Sequence, residues 1–140
     1  MTMAQMEGVK GRVLVAEDDL HLREAICELL KRMGFSVVGA ADGGEAVAIA
    51  RDQEPDVVLM DIRMPIMDGI EASRRIRASQ PLVQVVVLSA YDDPGLHQDA
   101  EAAGAYCFLV KGCPPNMIDE MITRACEYKR QLEHNRDASR

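Results

Sequence analysis

Five short apolar runs, separated by segments of helical periodicity, restrict this chain to few architectures. The runs at 13–16, 57–60 and 83–88 carry almost no polar residue, so a strand built from any of them has no face to offer water. Strands of that kind are buried on both sides, which means a parallel sheet covered by helices. Strands are expected over 13–16, 36–40, 57–60, 83–88 and 107–110, each followed by a helix.

The helices announce their own ends. Leu22, Ile26, Leu29, Leu30 and Met33 recur at helical spacing, and Gly34 stands where a helix C-terminal glycine belongs. Asp42 with Glu45, and Asp68 with Glu71, have the spacing of capping boxes, and Asp93-Pro94 places a cap before a first-turn proline. The helix that follows has the thinnest apolar stripe, Leu96, Ala100 and Ala103, so it is expected to pack most weakly and to shift most easily. Pro115 opens a last helix through Ile118, Met121, Ile122 and Ala125. The expected plan is a tail at 1–11, one α/β domain at 12–126, and a charged helical extension or linker at 127–140 that frays.

At 140 residues the chain fits one domain. Its net charge of −7 argues against direct nucleic-acid binding, which needs a basic surface to displace counterions. Cys27, Cys107, Cys113 and Cys126 lack metal or redox spacing and read as reduced thiols of a cytosolic protein. No apolar run approaches the ~20 residues of a membrane span, and the first twelve residues lack a signal-peptide core. A cytoplasmic location with no membrane contact is therefore expected.

Three of the runs end on charge. Residues 13–16 lead into Glu17-Asp18-Asp19, 57–60 into Asp61, and 107–110 into Lys111. Parallel strands would bring these ends to one edge of the sheet, where open α/β folds place their sites. Asp61 is the expected nucleophile, a carboxylate that attacks a phosphoryl group and becomes an acyl phosphate. Bringing Glu17, Asp18 and Asp61 within ~5 Å costs on the order of 3 kcal/mol per like-charged pair at an effective dielectric near 20. A hard divalent cation removes that repulsion, so Mg2+ or Mn2+ is the expected cofactor. Lys111 would place a positive charge against one phosphoryl oxygen, and Ser89, ending the fourth strand, a hydroxyl against another.

These segments, Val-Leu-Val-Ala-Glu17-Asp18-Asp19, Asp61-Ile-Arg-Met-Pro65-Ile-Met-Asp68-Gly69, Leu-Ser89-Ala90 and Phe108-Leu-Val-Lys111, resemble the receiver domain of two-component response regulators over roughly residues 12–125. The resemblance implies a doubly wound, flavodoxin-like sheet of five parallel strands in the order 2-1-3-4-5 with five helices. It implies that Asp18 binds the metal directly and Glu17 through water, with the Arg63 backbone carbonyl and Asp61 completing the protein ligands. Asp19 then helps to cap the first helix and Asp68 the third. Three places before the lysine, Phe108 holds the family's aromatic switch position; strand alternation would put Tyr106 on the same face. The family often has proline after the lysine, where this chain has Gly112 and moves its prolines to 114 and 115.

The implied function is a switch rather than an enzyme. It would accept phosphoryl on Asp61 from a sensor histidine kinase or phosphotransfer protein and control an output domain or partner, including a transcriptional output outside this chain. A phosphorylation-dependent homodimer is also implied. The alternative is a magnesium-dependent phosphatase of haloacid dehalogenase type, but that class wants Asp-x-Asp where this chain has Asp61-Ile-Arg63. A flavin or nucleotide module would need glycine or hydroxyl residues after the first strand, where Glu17-Asp18-Asp19 repels phosphate. Arg74, Arg75 and Arg77 read as a solvated helix face, and His21, His97 and His134 as scattered residues without a catalytic role.

Overall fold

The computed structural model describes residues 9–139; positions 1–8 of the expected tail lie outside them. Its strands are β1 (Arg12–Ala16), β2 (Ser36–Ala40), β3 (Val57–Met60), β4 (Gln84–Ser89) and β5 (Cys107–Val110). They alternate with α1 (Leu20–Arg32), α2 (Gly43–Gln53), α3 (Gly69–Ser79), α4 (Pro94–Ala102) and α5 (Pro115–Ala138). All four pairings are parallel and the order is β2-β1-β3-β4-β5, the doubly wound sheet that the resemblance implies. The order reverses between β1 and β3, which opens a crevice at their C-terminal ends.

The uniform apolarity of the inner strands follows from their having two buried faces. Val13, Val15, Val57, Leu59, Val86 and Leu88 point to one side, where Ile26 and Leu30 of α1 and Ile118, Ile122 and Ala125 of α5 cover them. Leu14, Ala16, Val58, Met60, Val85 and Val87 point to the other, beneath α2, α3 and α4. β4 runs one residue later than the sequence indicates. The Val83 N–H is spent on a turn to the Gln80 carbonyl, while the Ser89 carbonyl accepts from Lys111 N at 2.7 Å and extends the ladder.

Aspartate caps open the first four helices. The side chains of Asp19, Asp42, Asp68 and Asp93 accept from Leu22 N, Glu45 N, Glu71 N and Gly95 N at 2.7–2.9 Å. Each such cap is worth about 1 kcal/mol. α4 fully buries only Ala100, whereas α3 buries five residues, as its thin stripe predicts.

α5 continues unbroken beyond residue 126. Lys129 Nζ lies 2.9 Å from Asp56 Oδ1, and the other Asp56 oxygen accepts from Arg12 N at 2.8 Å. The Arg130 guanidinium donates to the Lys10 carbonyl. The charged segment is thus tied to the N-terminal edge of the sheet for its first turn. No described helix is long and apolar enough to cross a membrane. All four cysteines are free, and burial pushes the Cys107 thiol up to about 11 and Cys126 up to about 12, which leaves both unreactive.

Candidate functional site

Parallel register decides which residues meet. Ala16 pairs with Met60, Met60 with Val87, and Ser89 with Val110, so the residues that follow these strands gather at one edge. Backbone bonds hold them there: Glu17 N donates to Ala40 O and Asp61 N to Ala16 O, each at 3.0 Å. Glu17, Asp61 and Ser89 are buried, at 2%, 7% and 1% exposure.

Lys111 Nζ lies 2.6 Å from Glu17 Oε1 and 3.3 Å from Asp61 Oδ2. The second Glu17 oxygen accepts from Asp19 N at 3.1 Å. Asp18 is exposed, yet one carboxylate oxygen from each of Glu17, Asp18 and Asp61 lies within 4.8 Å of the others. Three carboxylates against one ammonium leave two negative charges uncompensated. Asp18 is accordingly held above the ordinary carboxylate value, first by its hydrogen bond with Glu17, then by desolvation and the Glu17 charge. Partial burial works to lower the Lys111 pKa, but the Glu17 hydrogen bond and the charges of Asp61 and Glu17 outweigh it and raise the group. Three hard oxygen donors with an excess charge of minus two fit a small divalent cation.

Asp19 and Asp68 serve as helix caps and stand apart from this triad, as expected. Ser89 ends β4, and its buried hydroxyl oxygen accepts from Tyr91 N at 3.1 Å. Arg63 and Tyr91, each two residues past a buried site residue, stack across the crevice with the guanidinium carbon 4.5 Å from the ring centroid. In the loop after Asp61, Gly69 N donates to the Ile62 carbonyl at 2.7 Å. A Cβ at Gly69 would stand 1.9 Å from the Asp61 carbonyl oxygen, so only glycine lets α3 start this close to the acidic edge. Gly112, after the lysine, takes φ +97 with nothing near an added Cβ; there glycine is required by conformation and not by space.

The expectation for Tyr106 fails. Phe108 packs on the side of the sheet covered by α2, α3 and α4, whereas Tyr106 packs on the opposite side, its ring 5.6 Å from that of Tyr128. Alternation begins only at Cys107, and Tyr106 lies in the bend before the strand. A second contact was not legible: the His97 imidazole of α4 stacks on Phe108. The available signal was that His97 stands three residues before Ala100, on the helix face that meets the sheet.

Residues 13–123 match the family model described as the response regulator receiver domain. The chain is 43% identical over 115 residues to the transcriptional regulatory protein PdtaR of Mycobacterium tuberculosis, covering 81% of this chain and 54% of that protein. It therefore spans about half the length of this relative. It is 34% identical to the chemotaxis protein CheY of Thermotoga maritima over 114 residues, 81% of this chain and 95% of that one. Among solved structures, a chain of the CheX-CheY-BeF3-Mg complex from Borrelia burgdorferi superposes with a TM-score of 0.76 at 28% identity, covering 81% of this chain and 87% of that one. Sheet order, acidic edge and near end-to-end likeness to a single-domain relative agree: the chain belongs to the response regulator receiver domains, CheY-like modules of two-component signalling rather than enzymes.

Proposed function

We propose that Asp61 accepts a phosphoryl group from a histidine kinase or phosphotransfer protein, and that the resulting charge is read through Ser89 and Phe108. The observation that carries this reading is the sharing of Lys111 between Asp61 and Glu17 beside an exposed Asp18. A carboxylate oxygen of Asp61 attacks phosphorus, the new C–O–P linkage forms, and the bond to the donor's nitrogen or oxygen breaks with its electron pair leaving on the donor. Glu17, Asp18, Asp61 and the Arg63 carbonyl would hold Mg2+ or Mn2+, which supplies charge neutralisation at the transferring group when bound. Lys111 then exchanges a carboxylate partner for a phosphoryl oxygen. Ser89 can donate to another, because a hydroxyl that accepts from Tyr91 N keeps its own proton. Drawing Ser89 toward the phosphoryl group leaves room behind β4 for the Phe108 ring, which has no hydroxyl to satisfy and needs only apolar surroundings.

Control of an output domain or partner follows from the surface change, and the name of the mycobacterial relative supports a transcriptional output outside this chain. A phosphorylation-dependent homodimer and a cytoplasmic location belong to the same reading. Direct nucleic-acid binding by these residues does not, given the net charge of −7.

Metal affinity tests the assignment of the acidic pair. Calorimetric titration with magnesium should show about a tenfold loss for Asp18→Asn, roughly 1.4 kcal/mol. Asp19→Asn should bind nearly as the wild type does, because its oxygen serves Leu22 N. Equal losses would mean that the metal-binding pair is displaced by one residue.

A further inference from the structure

Phe108 does not face open solvent. The His97 imidazole lies flat against it, with ring centroids 3.8 Å apart and planes inclined by 22°. The imidazole is itself fixed, because Nε2 lies 2.7 Å from Asp92 Oδ1 in the loop between β4 and α4. That loop is tied back to the site through the bond from Tyr91 N to Ser89 Oγ. A connected path therefore runs from Ser89 through the 91–92 backbone to Asp92, His97 and Phe108, and it joins the end of β4, α4 and β5.

We infer that His97 is a positioning residue of the switch, a latch that holds Phe108 against α4 in the unphosphorylated protein. The inference rests on the reading of Phe108 as the switch ring. The stack exists in only one of the two ring positions, and a contact made in one state alone shifts the equilibrium toward that state. α4 makes this contact weigh heavily. With Ala100 as its only fully buried residue, the helix has little else to hold it against β5. Release of the ring and displacement of α4 are thereby one event, and Asp92 connects that event to the loop that Ser89 pulls.

The test is a beryllofluoride titration in the presence of magnesium, followed by methyl, amide and aromatic resonances of the whole chain. His97→Ala should bind about fivefold tighter, the factor expected when a stacked ring pair that opposes the active state is removed. In the ligand-free variant, the Phe108 resonances should already lie part way toward their bound positions. His97→Phe keeps a ring on the ring and should return the affinity toward that of the wild type. In a Phe108→Leu background, His97→Ala should change affinity by less than twofold, roughly the limit for sites that do not interact. If Phe108 moves on ligand binding while His97→Ala leaves affinity unchanged or weaker, the latch is wrong and the switch reading stands. If the Phe108 ring does not respond to beryllofluoride at all, both are wrong. Amide spectra of His97→Ala and His97→Phe report whether each variant is folded, and the imidazole's partial exposure favours that outcome.

Discussion

Intact-mass spectra of Asp61→Asn, incubated with magnesium and a small acyl phosphate, are expected to show no phosphoryl adduct where the wild type gains one. The amide keeps the shape of the side chain but has no anionic oxygen to attack phosphorus. Loss of fold will not account for the result. Asp61 is a buried carboxylate in a cluster with excess negative charge, and Lys111 keeps its 2.6 Å contact with Glu17 when Asp61 is neutralised. Asp61→Asn should therefore melt no lower than the wild type without metal. An adduct that persists and maps to Asp18 or Asp19 would reject Asp61 as the acceptor.

Gly69→Ala should be the most damaging single methyl in the molecule. The added carbon would meet the Asp61 carbonyl oxygen at 1.9 Å and Ile62 Cα at 2.9 Å, and backbone on that side has no rotamer by which to yield. Either α3 moves outward or the acceptor strand does, and both lose packing beneath Ile70, Ala72 and Ile76. A cost of about 3 kcal/mol is expected, lowering the melting temperature by roughly 10 °C, with phosphoryl uptake lost as Asp61 is displaced. Gly112→Ala is the control, since it adds the same carbon where nothing lies within 4 Å and bears only the strain of a left-handed residue, about 1 kcal/mol. Equal melting temperatures for the two variants would show that the approach of Gly69 to Asp61 does not constrain the site.

Most of the site was legible because each charged residue immediately follows a strand with two buried faces. Val57 through Met60 must all be interior, so Asp61 is fixed at the edge whichever face its neighbours take. Asp42 and Asp68 were equally readable as caps, because the partner N–H lies three residues away in the chain. What escaped was contact between elements distant in sequence. Lys129 looks like a solvated charge in a charged run until Asp56, 73 residues away, is placed beside it. His97 and Phe108, or Arg63 and Tyr91, meet only because α4 and two loops settle where they do, and no local period encodes that. Tyr106 misled for a related reason, since alternation predicts a face only within the strand, and the strand begins one residue later.

The division of the two cores among helices has a consequence for biosynthesis. The core beneath α2, α3 and α4 uses residues no later than Phe108, whereas the one beneath α1 needs Ile118, Ile122, Ala125 and Cys126 from α5. A ribosome delivers α5 after every strand of the sheet. Until it emerges, Leu59, Val86 and Leu88 have an open flank, and the Asp56 carboxylate beside Arg12 lacks its lysine. The nascent chain thus waits with its chemistry assembled at one edge and an adhesive surface on one side, the condition in which chaperones engage and aggregation begins. Stalled chains that end before Ile118 should remain sensitive to protease, and chains with Arg130 clear of the exit tunnel should become resistant in one step. Gradual protection across that interval would show instead that the sheet matures independently of its last helix.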